Sequence, residues 1–352
     1  MSVGKNSYHL ILEDSKIWRK DLLVMYLYDC YINNTNVVID SHLEGSCCHA
    51  NGLYRVLDEF CSRTGYKPER ITIRTANLVE QHDRYTIVCV PEYWYEIKEI
   101  QKWLYGKNLT TTNTPNKHFG NFIGRANWYR LWIAALLDHQ YKNKTAQTFN
   151  SGIRSRYIVK NDGAYDYLGL EDLVRYECDI LPNVVEFLES CPRVIDNDIE
   201  YIKTVKPYIP QPDYYPIQHP ANLNILKEYP NIFVDIVCET RISGNVFFVT
   251  EKTWRCILAR RPFIIVGSQF FLQNLKRLGF KTFNDFWDEG YDEYHPTQRI
   301  IEIEKLLKTI SEWPVDKLAL MLEQMQSILE HNFNVFTTLT YTDIKKIFND
   351  KK

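Results

Sequence analysis

The chain lacks a long apolar run, an excess of one charge sign and any paired-cysteine motif. No stretch approaches the ~20 apolar residues that span a bilayer, and the opening MSVGKNSYHLILEDSKIWRK has no signal-peptide core. The expectation is a protein with no membrane segment, cytoplasmic, and not an anchored Golgi-type enzyme. The sequons at Asn34, Asn108 and Asn143 are then accidental. Forty-two Lys and Arg against 44 Asp and Glu leave a net charge of −2. That balance makes no global case for a nucleic-acid or membrane partner, though it is compatible with a local basic groove. Nine cysteines (30, 47, 48, 61, 89, 178, 191, 238, 256) form no C-x-x-C pair. Their odd number and scatter point to reduced thiols, not to a disulfide framework or zinc site, and Cys47-Cys48 reads as packing. There is no G-x-G-x-x-G, G-x-x-x-x-G-K-[ST] or H-E-x-x-H, which weakens dinucleotide, P-loop and metalloprotease readings. Asp196-Asn197-Asp198 formally matches D-x-D, but its loop context reads as a solvated turn, and neither metal nor cofactor is expected. Internal repeats and low-complexity tracts are absent too.

What is present is a globular balance, 45% apolar and 24% charged over 352 residues, enough for two ordinary domains or one large one. Strand patterns at residues 8–12, 36–40, 71–74 and 85–90 alternate with a helical pattern at 50–63 that puts Leu53, Val56, Leu57 and Phe60 on one face. That alternation predicts a layered α/β sheet of parallel strands. Residues 116–140 read as a strand ending at Gly124, a basic turn, and a helix burying Leu131, Trp132, Ala135 and Leu136. The stretch 141–230 gives no clear periodicity; within it a tyrosine-rich segment punctuated by Pro207, Pro210, Pro212, Pro216 and Pro220 reads as a loop or interdomain connection. Beyond it come a second α/β unit, a helix at 270–278 stopped by Gly279, a short strand at 281–283, and amphipathic helices at 298–310 and 315–331. The predicted fold is α/β, two Rossmann-like domains facing a central cleft, residues 1–180 and 181–352, with the boundary near 180–220.

Residues 232–267, IFVDIVCETRISGNVFFVTEKTWRCILARRPFIIVG, read as strand, loop, helix and strand. Thr250 is a good N-cap and Glu251 suits the first turn of the helix. Lys252 is electrostatically wrong there unless an anion is present. A helix start offers unpaired amides and a positive dipole end, so the pattern predicts a phosphate or pyrophosphate site. Trp254, Ile257 and Leu258 would pin the other face to the core. Glu239, at the end of the preceding strand, supplies a second carboxylate. The bland alternative is a well-capped helix whose surface charges contribute about 0.3–1 kcal/mol each.

Two further constellations have paired readings. Arg125, after Gly124, and Arg130 either reach a pyrophosphate through the bidentate guanidinium fork or form salt bridges on a solvated face. Nearby Trp128, Tyr129 and Trp132 read as core, with Tyr129 also able to stack on a base or sugar. Asp40, His42 and Glu44 follow the strand NVVID, where side chains at the carboxyl end face a cleft and a general base belongs. They read equally as turn residues capping the next helix.

The pattern CET…FFVTEKTWRCILARRPFIIVG resembles the donor-binding signature of alpha-1,3-fucosyltransferases and related GT-B glycosyltransferases, in which a "FEN" segment precedes "YxTEKxxxA" and "xPVxxG". Through LGFKTFNDFWDEGYDE it is also similar to glycosyltransferase-like proteins of phages and large viruses. The strong similarity covers residues 232–293, with a weaker echo in FIGRANWYRLWIAALL, residues 122–137. The resemblance implies that Lys252 binds the diphosphate of a nucleotide sugar, that Glu251 accepts from its ribose, and that Glu239 lies near the ribose or the donor sugar. Thr240-Arg241 stands where the family has Asn-Ser, so GDP-fucose does not carry over as donor, and Arg241 can replace a basic group supplied elsewhere. By resemblance the reaction is inverting and metal-independent, and the acceptor is a hydroxyl of a glycan, a small molecule or a modified DNA base. Two alternatives stand beside it. One is a viral DNA-base glycosyltransferase, with Arg154, Arg156 and Lys160 extending Arg125 and Arg130 into a basic groove. The other is a nucleotide-binding module without catalysis.

Overall fold

The computed structural model describes residues 7–11, 20–41, 47–91, 114–124, 127–149, 181–191, 193, 195, 225 and 227–349. His42, Glu44, Arg125, the 196–198 triplet and the basic residues 154, 156 and 160 lie outside them. The chain divides into two compact units, Met1–Tyr95 with Ser243–Phe248 and Leu339–Lys352, and Glu96–Ile242 with Val249–Thr338. Each is built on a parallel sheet flanked by helices, a Rossmann-like α/β arrangement.

Unit 1 runs β1 (Ser7–Ile11), α1 (Lys20–Ile32), β2 (Asn36–Ser41), α2 (Leu53–Thr64), β3 (Ile71–Thr75) and β4 (Thr86–Cys89), with sheet order β1-β2-β3-β4 and every pairing parallel. The continuous apolar run of β2 suits a strand covered on both faces. Val37 and Ile39 pack with Ile71 and Ile73 of β3, Leu53, Leu57 and Phe60 of α2, and Leu23 and Leu27 of α1. Gly65 ends α2 in the left-handed region at φ 73°, and its amide bonds back to the Cys61 carbonyl at 2.9 Å. The same unit takes in the loop Ser243–Phe248 and the last helix of the chain.

Unit 2 runs β5 (Lys117–Ile123), α3 (Trp128–Tyr141), β6 (Thr145–Phe149), α4 (Leu181–Glu189), β7 (Ile232–Cys238), α5 (Glu251–Leu258), β8 (Phe263–Val266), α6 (Phe271–Arg277), α7 (Pro296–Ser311) and α8 (Val315–Thr338). The last helix, α9 (Tyr341–Asn349), returns to unit 1. The sheet order is β6-β5-β7-β8, again all parallel. All seven residues of β7 are buried. Trp254 of α5 lies 5.1 Å from the Phe336 ring of α8, so α5 is held between the sheet and the long helix. Among the described residues no helix is long and apolar enough to cross a membrane.

The structure departs from the sequence reading in three places. The pairing of β5 with β7 puts 117–149 in one sheet with 232–266, whereas the expected division at 180–220 separates them. A strand, TAQTF, lies at 145–149 in a stretch to which the sequence assigned no element, because its threonines and glutamine give no apolar run. Residues 281–283 form no strand: the Asn332 side chain bonds both the Lys281 amide (2.8 Å) and the Lys281 carbonyl (2.9 Å), in place of a ladder.

Candidate functional site

The second sheet has a switch point. The chain lays β6 on one side of β5 and then places β7 on the other, so the strand order reverses between β5 and β7. In open parallel sheets, ligands bind outside the carboxyl ends of the strands at such a reversal. Here β5 ends at Ile123 before Gly124, and β7 ends at Cys238 before Glu239.

Three elements meet at Glu239. From α3, whose N-cap Asn127 accepts the Arg130 amide at 3.1 Å, the Tyr129 hydroxyl (2.5 Å) and Arg130 Nη2 (2.9 Å) both donate to the Glu239 carbonyl. The Trp128, Tyr129 and Trp132 side chains are buried, as the core reading expects. Burial raises the Tyr129 pKa, so its hydroxyl stays a donor. The adjacent Cys238 thiol is pushed up to about 12 by burial, against the opposing pull of Arg130.

The Glu239 side chain is 1% exposed and turns to α5. Oε2 accepts the Thr250 hydroxyl at 2.6 Å and the Thr240 amide at 3.3 Å. Oε1 accepts the Thr253 hydroxyl at 2.6 Å and the Thr250 amide at 3.2 Å. Thr250 itself caps the helix, its hydroxyl oxygen accepting the Lys252 amide at 3.4 Å. A carboxylate of the chain's own therefore sits at the α5 N-terminus, where the dipole favours negative charge. Thr253 is the participant the sequence reading passed over. Its signal was a hydroxyl three residues after the N-cap, the place a capping-box side chain takes.

Lys252 is 8% exposed. Its ammonium lies 2.7 Å from Glu251 Oε1 and 3.2 Å from the Thr250 hydroxyl. The anion that a lysine at a helix start calls for is thus partly supplied by its neighbour. Arg241 is half-buried in the loop after Glu239. Trp254, Ile257 and Leu258 are buried on the core side, as their spacing predicts.

The other cations of the 252–261 run serve the scaffold. Arg255 donates from Nε to the Tyr229 hydroxyl at 2.9 Å, and that hydroxyl donates to Asp235 Oδ2 at 2.5 Å. Cys256 Sγ donates to the same oxygen at 3.2 Å. Burial raises the Asp235 pKa, while Arg255 and these two donors hold it down. Arg261 donates to the Tyr229 carbonyl at 2.7 Å, and Arg260 pairs with Glu330 at 2.7 Å. Among the described residues, basic charge beside the switch point therefore comes from Lys252, Arg130 and Arg241.

In unit 1, Asp40 at the end of β2 is buried and ion-paired with Arg74, its register partner on β3. That partnership gives it a structural task. Among the described residues no group of three or more His, Cys, Asp or Glu side chains is placed to hold a metal ion. No family model, curated protein or solved structure matches this chain.

Proposed function

We propose that the chain is a glycosyltransferase moving a sugar from a nucleotide-diphosphate sugar to a hydroxyl acceptor. The observation that carries this reading is the meeting of the Glu239 strand end, the first turn of α3 and the N-cap of α5 at the switch point of the second sheet. A ligand there meets the start of α3 and the Lys252 ammonium, the start of α5 being already bonded to the Glu239 carboxylate. In this reading Lys252 takes the diphosphate, and Arg241, with Arg125 beyond the end of β5, stabilises the charge that develops on the departing nucleotide. Glu251, released from Lys252, accepts from the ribose. Glu239 acts as the fixed anion that shapes the site. The finer fold reading that goes with this function is GT-B, with unit 2 holding the donor and unit 1 the acceptor and its general base, and with inversion at the transferred carbon.

Isothermal titration with UDP and GDP, on the wild type and on Lys252→Met, tests it. Removing a charge-assisted bond should weaken nucleotide binding by roughly tenfold to a hundredfold, with turnover of a nucleotide sugar in an acceptor screen. Equal affinity in the variant removes Lys252 from the site. Nucleotide binding without turnover favours the non-catalytic module, and steeply salt-dependent binding of duplex DNA favours the DNA-base reading.

A further inference from the structure

Arg299, near the start of α7, is 1% exposed, and its guanidinium donates to backbone carbonyls of three separate segments. Nε donates to the Tyr291 carbonyl at 3.2 Å and Nη2 to the Tyr294 carbonyl. Nη1 carries two hydrogens and serves two loops: it donates to the Ile242 carbonyl at 3.1 Å, after β7, and to the Gly267 carbonyl, after β8. A guanidinium holds its donors in a fixed planar fork, whereas an ammonium has them around a single nitrogen. Burial pulls the Arg299 pKa down to about 10, against Asp292 and Tyr291, so the cation persists at neutral pH. The frame on which it stands is bonded too. The Asp292 carboxylate accepts the Leu272 amide at 3.0 Å and the Gln273 amide at 3.1 Å, capping α6, and the Asp292 carbonyl accepts the Phe270 amide at 2.9 Å. All these residues lie in unit 2.

Ile242 closes the short stretch that leaves Glu239. At the near end the Glu239 amide bonds the Val266 carbonyl at 3.0 Å, and the Glu239 carboxylate accepts the Thr250 hydroxyl at 2.6 Å. At the far end Arg299 holds the Ile242 carbonyl, and the Ile242 side chain is buried. Only Thr240 and Arg241 lie between. Each residue spans at most ~3.6 Å, so two residues between fixed points leave the Arg241 backbone little freedom. We propose that Arg299 is a positioning residue for Arg241: by tying the Ile242 carbonyl to the Gly267 carbonyl, it fixes the stretch that presents Arg241 at the carboxyl end of β7. The consequence for a ligand rests on the proposed function; the positioning itself does not.

Hydrogen exchange on the full chain judges the positioning. Arg299→Lys keeps the charge and loses the fork. In that variant the Thr240 amide, which bonds Glu239 Oε2, should exchange roughly tenfold faster, as expected for losing about one bond's worth of local stability. The amides of Val234 and Ile236 should stay as protected as in the wild type. Unchanged exchange at Thr240, or a rise shared equally by Val234 and Ile236, overturns the proposal. If Arg299→Lys does not fold, exchange of the wild type in urea below its unfolding transition decides it. Thr240 should then open in the same step as the Arg299 amide, and separate opening overturns the proposal. A parallel titration with inorganic pyrophosphate covers the ligand. If Arg241→Met binds pyrophosphate as the wild type does, Arg241 leaves the proposed site while the exchange result still judges Arg299. If Arg241→Met binds several-fold more weakly, Arg299→Lys should do so too, and adding it to Arg241→Met should cost little more. Wild-type affinity in Arg299→Lys, or losses that multiply in the double variant, would then overturn the action of Arg299 through Arg241.

Discussion

The Thr250 hydroxyl donates to the Glu239 carboxylate at 2.6 Å, and this bond ties the end of strand β7 to the start of helix α5. It changes what a helix start can offer here. The carboxylate already accepts the Thr250 amide and the Thr253 hydroxyl, so the first turn comes with its own negative charge. An incoming phosphate is left to a side-chain cation, and Lys252 is the cation beside that turn.

Glu239 should therefore govern stability. Glu239→Ala leaves buried donors without an acceptor and should cost about 3 kcal/mol in urea unfolding. Glu239→Gln keeps one acceptor oxygen and should cost about half of that. A cost within about 0.5 kcal/mol for the alanine variant, the size of a neutral surface change, would show that the carboxylate does not hold this corner.

Glu251 and Lys252 make a nearly buried pair at 2.7 Å, with side chains 12% and 10% exposed. A phosphate has to take Lys252 away from Glu251, whereas a ribose hydroxyl can donate to the carboxylate so released. Glu251→Gln should bind inorganic pyrophosphate several-fold more tightly and UDP or GDP more weakly. Both affinities moving in the same direction would deny Glu251 its double part.

Gly120 on β5 is where the sheet is tightest. A Cβ there would meet Ile232 Cδ1 at 2.4 Å and Phe122 Cε2 at 3.1 Å, beside the β5–β7 pairing. Gly120→Ala should destabilise by about 1–3 kcal/mol, the usual range for overpacking. Adding Ile232→Val, which removes the clashing methyl, should recover part of it. No recovery in the double variant, read from urea midpoints, would place the strain elsewhere.

What the sequence made legible was local. The NVVID strand, the helix around Leu53, the Thr250 cap and the core face of Trp254, Ile257 and Leu258 all follow from periodicity and capping chemistry. The switch point did not, because it depends on β5 pairing with β7 across more than a hundred intervening residues, and no short-range pattern encodes that. The partner of Glu239 was also hidden: a carboxylate at a strand end looks the same in sequence whether it faces a sugar or caps the next helix.

His118, on β5, gives the clearest pH signature. It is 4% exposed, its Nε2 lies 2.8 Å from the Trp313 carbonyl, and its buried Nδ1 has no hydrogen-bond partner among the described residues. The ring that fits is neutral, with the proton on Nε2; adding a second proton would bury an N–H with nowhere to donate. Burial lowers its pKa below the ordinary 6.5, Lys144 adds to that, and the Trp313 bond opposes it. With a depressed folded value, the unfolded chain takes up the proton first as pH falls. The stability His118 contributes is thus present above about 6.5 and is lost as pH drops through its lower folded value. His118→Gln keeps a donor for Trp313 without titrating. The wild type should be the more stable of the two, relative to their difference at low pH, at pH 8, and should lose that advantage progressively as the pH falls below about 6.5 in urea unfolding at fixed ionic strength. A difference that stays constant across that window would mean that His118 folds as readily charged as neutral.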